Sequence, residues 1–152
     1  MIADLSTHDF GDERDDGFPP LLSYEGPIPT VPGNGAELVF FENLGQLGTA
    51  GGILYAIGDP LSIAFFADHI SVVARGLGGM GAPSVVAYEV RFVGARPVVP
   101  QGSDPVGTTY NFLLGNDPDR WISGAAGYGT VAYHGLWDGV DLAYHSEGSH
   151  IK

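Results

Sequence analysis

The sequence predicts an all-β domain, arranged as an antiparallel sandwich or as stacked hairpins. The 152-residue chain carries 24 glycines and 11 prolines, which lie between short apolar runs, as is typical of short strands joined by tight turns. These runs are rich in β-branched and aromatic residues, which favour strands. With 44% hydrophobic residues, the chain can fill the core of one domain.

Residues 1–35 predict a flexible, acidic, Pro/Gly-rich leader or linker ahead of a β-rich domain over residues 36–152. Acidic residues are dense before residue 26, and a Pro/Gly-rich run follows to Gly35. Like charges oppose compaction, and proline removes backbone donors. The segment DERDDG at 12–17 lacks the spaced ligands and the distal glutamate of an EF-hand, which argues against a calcium loop.

Apolar runs in the first half of the domain predict consecutive hairpins. Strand character occurs at Ile53–Ile57 and Leu61–Phe66 on either side of a Gly-Asp-Pro turn, and again at Ile70–Arg75. A formal GxGxxG motif at 76–81 precedes the strand-like run Ser84–Val93 instead of a helix. We therefore expect a hairpin connection there and not a dinucleotide site.

In the second half, Gly94–Gly107 predicts a loop and Thr108–Leu114 a strand. The segment Gly115–Asp119 should be a turn, or one helical turn capped by Asn116 or Asp117. Two further strands are expected at 129–134 and 140–145. Alternation within the second of these places Val140, Leu142 and Tyr144 on its inner face, and a hairpin turn is expected at 146–149.

The charge of the chain bears on its partners. Its formal net charge is −12, and the six basic residues are scattered, so binding to nucleic acid is not expected. No apolar run is long enough for membrane insertion, no signal peptide is visible, and there are no cysteines. The acidity indicates solubility in a salty medium or cation binding.

Three ordered motifs carry a family resemblance: FFENLGQ at 40–46, YNFLLGNDPDRW at 110–121 and YGTVAYHGLWDGVDLAYH at 128–145. Together they resemble the N-terminal domain, itself of unknown function, that precedes SBBP-type β-propeller repeats in secreted bacterial and archaeal proteins. The resemblance implies an extracellular or cell-surface setting. The matching residues are Phe40, Asn43, Gly45, Gln46, Asn111, Gly115, Asp117, Pro118, Trp121, Gly139, Asp141, Leu142 and Tyr144.

The chain departs from that family pattern in two places. Trp137-Asp138 stands where the family tends to have Tyr-Pro, which keeps the loop but loosens it. The sequence also stops at Lys152, where family members continue along a returning strand. We therefore expect a domain truncated at its C-terminal end, whose last strand leaves an unpaired edge.

Several motif residues have structural roles by their chemistry. The amides of Asn43 and Gln46 can bind backbone groups where a strand ends, and Gly45 permits a positive φ. With Phe40 they predict a buried turn that pins the first strand of the domain. Trp121, Gly139 and Asp141 complete the set of expected structural positions.

Oxygen-rich turns offer candidate metal ligands. Asp138 and Asp141 lie at one turn and Asp117 and Asp119 at another, and their carboxylates suit Ca²⁺. The nearby side chains of His134, His145 and Glu147 would suit a transition metal instead. The alternative is that Asp141 accepts backbone N–H bonds at the Gly139 turn, while Asp117 acts as an ordinary turn residue. No organic cofactor is expected.

The absence of known catalytic motifs, such as GxSxG, HExxH or a P-loop, predicts that the chain is not an enzyme. We expect a structural or interaction module of a secreted or surface protein, active in adhesion or assembly, that self-associates by β-strand addition. One alternative is a calcium- or carbohydrate-binding module, and another is a fragment with no independent activity. A sugar platform would use the aromatic residues Trp121, Tyr128, Tyr133, Trp137 and Tyr144.

Overall fold

The computed structural model describes residues 3–8, 38–45, 52–57, 61–77, 83–113, 116–148 and 150–152. In these ranges the chain is built of antiparallel strands, which confirms the predicted all-β class. A 3-10 turn spans Pro118–Arg120. The strands are β1 (Ala3–His8), β2 (Phe40–Glu42), β3 (Leu54–Ile57), β4 (Leu61–Phe65), β5 (His69–Leu77), β6 (Pro83–Phe92), β7 (Gln101–Phe112), β8 (Ile122–Trp137), β9 (Val140–Glu147) and β10 (His150–Ile151).

All of these strands belong to one curled sheet, in the order β1-β6-β5-β4-β3-β2-β8-β9-β10, with β7 paired to β8. The long strand β8 is the branch point. At Tyr128 it pairs with both β2 and β7, and at Thr130 it pairs with both β7 and β9. Strands β2 and β9 therefore follow one another along one edge of β8, while β7 runs along the other edge.

The larger core lies on one face of β2–β6. Phe40, Phe65 and Val72 on this face pack with Val131 and Tyr133 from the second half of β8. Burial of such side chains is the main favourable term in folding, at about 25 cal/mol per Å² of apolar surface. Strand β9 joins this core through Leu142 and Tyr144, which are half-buried.

A second core lies on the opposite face of the same strands. Phe41 and Tyr55 pack there against Phe112 of β7, with the Phe41 and Phe112 rings edge to face at 5.4 Å. The first half of β8 contributes Ala125 to this core. Because the sheet curls, the one continuous strand β8 packs its first half against this core and its second half against the larger core.

The hairpins β3–β4 and β5–β6 lie where the sequence predicts them. Leu77 pairs with Pro83, so β5 and β6 form the expected antiparallel pair on either side of residues 78–82. Side chains of Tyr88, Val90 and Phe92 pack on the larger core, as alternation requires. The run is therefore a strand and not the helix of a dinucleotide site.

Strand β7 corrects the predicted loop at Gly94–Gly107. It begins at Gln101, and its pairing with β8 shifts register between Pro105 and Thr109. Asp104 and Gly107 have left-handed backbones, with φ of 54° and 72°. The Asp-Pro and Gly residues that predict a loop therefore lie within a strand, where its pairing with β8 is irregular.

The two ends of the described chain also differ in detail from expectation. The backbone of Ala3–His8 forms β1 on β6, within the segment for which the sequence predicts a leader or linker. Residues 9–35 of that segment lie outside the described residues.

At the other end, β9 continues to Glu147, so the predicted turn at 146–149 begins later. Val140 is 42% exposed instead of facing inward. No helix in the described part of the chain reaches the length and apolarity of a membrane span.

Candidate functional site

Asp141, a candidate calcium ligand, lies at the start of β9 and binds the backbone of β8. Its Oδ1 accepts the Gly135 N–H at 2.6 Å, and its Oδ2 accepts from His134 Nδ1 at 3.1 Å. The bond from the Gly135 N–H, followed by that from His134, holds the Asp141 pKa below its usual value. Gly135 has φ +62° at a register shift between β8 and β9. The carboxylate therefore stabilises this irregularity, a backbone role of the kind expected, with Gly135 as the donor instead of the Gly139 turn.

Asp138 lies in the turn between the paired residues Trp137 and Val140. Its neighbour Gly139 has φ +71°, a conformation that a side chain would strain. The same end of the sheet is secured by Arg96, whose Nε donates to the Gly135 carbonyl at 2.9 Å. Asp138 is exposed to solvent at this turn.

The second pair of candidate ligands, Asp117 and Asp119, forms a cap. Asp117 Oδ1 accepts the Asp119 N–H at 3.1 Å at the start of the 3-10 turn. Both side chains are exposed. Within the described ranges, no three His, Asp or Glu side chains come together as a group that could hold a metal ion. Calcium binding by Asp117, Asp119, Asp138 and Asp141 stays a prediction.

The motif at 40–46 forms a turn that binds the backbone, but Leu44 and Gly45 are exposed, so the turn is not buried as expected. Asn43 Nδ2 donates to the Gly52 carbonyl at 3.0 Å, and Asn43 Oδ1 accepts the Gly45 N–H at 3.2 Å. Gly45 has φ +114°. Phe40 is fully buried and meets Phe65 edge to face at 5.5 Å. Gln46 lies outside the described residues.

Three of the five aromatic side chains proposed as a sugar platform use their polar atoms within the protein. Tyr133 is fully buried, and its hydroxyl donates to the Phe66 carbonyl at 2.8 Å. Trp137 Nε1 donates to the Val93 carbonyl at 3.0 Å. Tyr128 donates to Glu42, which raises the Tyr128 pKa.

Of the remaining two, Tyr144 packs on Phe65 with ring centroids 5.3 Å apart, and Trp121 is 41% exposed. Four of the five rings are thus buried or half-buried in the sheet, and of the five only the Trp121 ring is exposed. Carbohydrate binding stays a prediction.

A polar bridge that the sequence does not reveal joins three strands. Thr130 on β8 is buried, and its hydroxyl donates to Asp104 Oδ2 on β7 at 2.6 Å. The Thr130 hydroxyl oxygen also lies 2.9 Å from His145 Nδ1 on β9. Since the single hydroxyl proton is directed at Asp104, His145 Nδ1 is the donor in the second bond. Only the register of the strands brings these residues together, so no sequence spacing could have found them.

A second polar group surrounds His69 at the start of β5. Its ring stacks on Phe66 at 4.3 Å, and its Nδ1 donates to Asp68 at 2.7 Å. This hydrogen bond is the main reason that the Asp68 pKa is lowered. Arg91 on β6 binds Glu89 at 2.7 Å, and Glu89 lies 3.9 Å from His69. The group combines a surface ion pair between Arg91 and Glu89 with the hydrogen bond from His69 to Asp68, and surface ion pairs contribute little to stability.

The outer edge of β9 is only partly paired. His145 exchanges two backbone hydrogen bonds with Lys152, at 2.8 and 3.0 Å, where β10 meets it. Strand β10 pairs with Glu147 and Ser146 on the other side of that point. Along Val140–Tyr144, the edge of β9 away from β8 has no strand partner among the residues that the structure describes.

Comparison with known proteins gives one match. Residues 40–152, about three quarters of the chain, match the model of a family described as a domain of unknown function, DUF7948. No curated protein and no solved structure matches the chain.

Proposed function

The chain belongs to the DUF7948 family of domains of unknown function, and we propose that it is a non-enzymatic interaction module that self-associates by β-strand addition. The observation that carries the proposal is the open edge of β9 at Val140–Tyr144, a stretch that has no strand partner among the residues that the structure describes. An unpaired strand edge presents a row of N–H and C=O groups, which is a template for another chain.

The open edge has the features that strand addition needs. Its backbone is already held extended by pairing with β8, so a new strand would bind without ordering β9 first. Each inter-strand hydrogen bond contributes about 0.5–1.5 kcal/mol net. Val140, at 42% exposure, adds apolar surface that a partner strand would cover.

Charged side chains do not block strand addition at Val140–Tyr144, as they do at many other strand edges. Natural edge strands are blunted by lysine, proline, bulges or inward charges. The stretch Val140–Tyr144 contains one charged residue, Asp141, whose carboxylate is directed to Gly135 and His134 on β8. By contrast, the edge of β7 carries Pro105 and a shift of register.

The setting that we propose for this module is a secreted or cell-surface protein, where it acts in adhesion or assembly ahead of SBBP-type β-propeller repeats. Support for this comes from the ordered motifs at 40–46, 110–121 and 128–145 and from the strongly acidic composition. An acidic surface keeps a protein soluble and limits unspecific association. Association would then depend on a defined strand edge.

The experiment is sedimentation of the 152-residue chain over a wide concentration range, with an Ala143→Pro variant. Ala143 faces the same edge as His145, which is two residues away, so its N–H is directed outward. Proline removes this donor without removing a bond to β8. We expect the unchanged chain to associate and Ala143→Pro to associate at least about tenfold more weakly, a loss of about 1.4 kcal/mol.

The matched control is Ala143→Thr, which keeps the N–H and favours strands. It should associate like the unchanged chain, and both variants should keep the far-UV circular dichroism of a folded sheet. A chain that remains monomeric at every concentration would contradict the proposal. Equal association of Ala143→Pro and Ala143→Thr would place the contact elsewhere on the molecule.

A further inference from the structure

We propose that the folded chain cuts its own backbone once, at the bond between Asp104 and Pro105, with the Asp104 carboxylate as the nucleophile. A single cut of this kind turns over no separate substrate, so it is compatible with a non-enzymatic module. It does not depend on self-association. Three features carry it: the backbone of Asp104, the hydrogen bonds that reach its side chain, and the chemistry of an Asp-Pro bond.

Asp104 has an unfavourable backbone conformation. Its φ is 54°, and among the residues that the structure describes it is the only one other than glycine with a positive φ. A left-handed backbone is costly for a residue with a Cβ, and the residue before a proline is normally extended. The Asp104–Pro105 bond therefore joins two local conflicts, which cleavage would relieve. Backbone strain of this kind clusters at functional sites.

The pairing of β7 with β8 fixes both sides of this strained bond. The neighbours of Asp104 in the chain pair with Thr130 and Tyr128 of β8. Between these two lies Gly129, where an added Cβ would be 3.6 Å from the Asp104 carbonyl oxygen and 3.7 Å from the Asp104 Cβ. Because Gly129 has no side chain, it leaves the space beside the carbonyl and the side chain of Asp104 open.

The Asp104 carboxylate is held at one oxygen. Oδ2 accepts the Thr130 hydroxyl proton at 2.6 Å, whereas no hydrogen bond to Oδ1 is found within the described ranges. Thr130 is buried, so the anchoring hydroxyl has a fixed position. Asp104 itself is exposed, which gives water access to the bond. Oδ1 is therefore the oxygen that is available to attack.

A path for protons leads from the solvent to this carboxylate. The exposed His145 donates from Nδ1 to the Thr130 hydroxyl oxygen at 2.9 Å, and the hydroxyl donates to Asp104. A hydroxyl group accepts and donates at once. Thr130 can therefore receive a proton from His145 and pass its own proton to Asp104. Histidine is the side chain best suited to exchange protons with water near neutral pH.

Proline at position 105 selects the reaction. After most aspartates, the next backbone nitrogen can attack the side-chain carboxyl group and close a succinimide ring. Pro105 has no N–H, so this competing reaction is excluded. Attack by the side-chain oxygen on the main-chain carbonyl carbon is the route that remains. The leaving group is then the ring nitrogen of proline, a basic secondary amine.

The reaction consumes one water molecule, and each proton has a source. The relay from His145 through Thr130 first places a proton on Asp104 Oδ2. Oδ1 then bonds to the main-chain carbonyl carbon of the same residue and closes a cyclic anhydride. The bond from that carbon to the Pro105 nitrogen breaks, and the nitrogen keeps the electron pair and takes the carboxyl proton. Water opens the anhydride and leaves Asp104 with two carboxylates, releasing their protons to the solvent.

The product is a two-chain protein of residues 1–104 and 105–152. Both pieces remain in the same sheet, because Phe41 in the first piece pairs with Gly127 in the second, and the first residues of β7 pair with β8. The native size should therefore not change. Only denaturation should separate the two pieces.

Mass spectrometry of the denatured chain, after incubation of the folded protein at about pH 6, tests the proposal. We expect the two fragments 1–104 and 105–152, with proline as the new N-terminal residue. The same chain incubated in urea should be cut at least about tenfold more slowly, because unfolding removes both the strain and the proton relay.

The chain contains its own control bond. Asp117 also precedes a proline and is also exposed, but its φ of −101° and ψ of 107° are those of ordinary extended backbone. The Asp117–Pro118 bond should therefore stay intact under the conditions that cut after Asp104. A third Asp-Pro pair, at 59–60, lies outside the described residues.

Three substitutions separate the roles of the side chains. Asp104→Gly keeps a residue that tolerates positive φ but removes the nucleophile, and it should not be cut. Thr130→Val keeps the volume but breaks the relay, and its cleavage should be at least about tenfold slower, whereas Thr130→Ser should be cut like the unchanged chain. His145→Asn keeps a donor N–H but cannot pass on a proton, so it should be slowed like Thr130→Val. Circular dichroism before incubation shows that each variant is folded.

A folded chain that stays intact overturns the proposal. Equal cutting after Asp104 and Asp117, or equal cutting with and without urea, identifies ordinary acid lability and also overturns it. Cutting of Asp104→Gly at the same place identifies a contaminating protease, with the same consequence. If Asp104→Gly is intact while Thr130→Val is cut at the normal rate, the relay is overturned and the attack by Asp104 stands.

Discussion

The Asp141 carboxylate and the Gly135 N–H, 2.6 Å apart, join the first residues of β9 to the irregular part of β8. The bond spans a hairpin whose register shifts between Tyr133 and Trp137. It explains why an aspartate in an oxygen-rich turn need not be a metal ligand. Both oxygens of the Asp141 carboxylate already accept hydrogen bonds, one from the Gly135 N–H and the other from His134.

Replacing Asp141 should therefore weaken the fold through this contact. We expect Asp141→Ala to lower the melting temperature by a few degrees, because the Gly135 N–H loses its acceptor. Asp141→Asn should lie closer to the unchanged chain, since an amide oxygen can still accept. Thermal melts at pH 7 with and without calcium provide the measurement.

The same contact gives a pH dependence with a definite sign. The folded pKa of Asp141 lies below its ordinary value of 3.8, so the stabilisation is present above pH 3.8 and is lost as the pH falls through the folded pKa. The melting difference between the unchanged chain and Asp141→Ala should close in that acid window. A rise in melting temperature with calcium that Asp141→Ala abolishes would instead identify a metal ligand.

Tyr133 tests the larger core. Tyr133→Phe removes the hydroxyl that binds the Phe66 carbonyl and should cost about 1–2 kcal/mol in the free energy of unfolding. The control is Tyr144→Phe, because no hydrogen bond from the Tyr144 hydroxyl is found among the described residues and the ring is kept. Urea unfolding at neutral pH compares the two. Equal losses would contradict a specific role for the bond to Phe66.

Burial also raises the pKa of Tyr133 well above its ordinary value of 10.0, since ionisation would place a charge in the core. The stability of the neutral phenol is fully present below that ordinary value and is lost as the pH rises above it. Tyr133→Phe should therefore lose less stability than the unchanged chain in alkaline urea melts.

Two glycines of β8 should respond differently to the same substitution. A Cβ at Gly127 would lie 2.7 Å from Val39 Cγ1 and 2.8 Å from Tyr110 Cε2, closer than packed atoms allow. Gly127→Ala should therefore cost about 1–3 kcal/mol by overpacking. At Gly129 the nearest atom would be the Asp104 carbonyl oxygen at 3.6 Å, an ordinary contact. Gly129→Ala should be neutral in the same urea titration, and an equal loss there would contradict the packing argument.

The bridge at Thr130 should contribute through its hydroxyl and not through its shape. Thr130→Val keeps the volume but removes both hydrogen bonds, and we expect a loss of about 1 kcal/mol, because Asp104 and His145 are exposed enough to bind water instead. Thr130→Ser keeps the hydroxyl and should retain the His145 Nδ1 proton signal in NMR. Loss of that signal in both variants would contradict the bridge.

The strands that the sequence predicts well are those with local signals. Apolar, β-branched runs mark β3 to β6, and the chemistry of Asn43 and Gly45 correctly indicates a turn that binds the backbone. The first half of strand β7 escapes prediction because Asp104, Pro105 and Gly107 carry turn chemistry within a paired strand. The density of acidic residues hides β1 in the same way.

Contacts that depend on register could not be predicted. Asp104, Thr130 and His145 come from three strands, and only the pairing of β7, β8 and β9 makes them neighbours. Likewise, the predicted inward position of Val140 fails because the side chain lies beside the turn at the end of the hairpin, where the core no longer covers it. Alternation gives the face of a side chain but not how far the opposing layer extends.

The branching of β8 has a consequence for how the chain reaches its native state. Strands β3 to β6 and strands β7 to β10 are each successive hairpins, which form from near neighbours in sequence. Pairing of β2 with β8 joins distant parts, as in the bond between Glu42 and Tyr128, 86 residues apart. Closing so long a loop costs entropy before any contact repays it. We expect the two sets of hairpins to form early. The pairing of the short strand β2 with β8, which joins the two sets, should be the slow step.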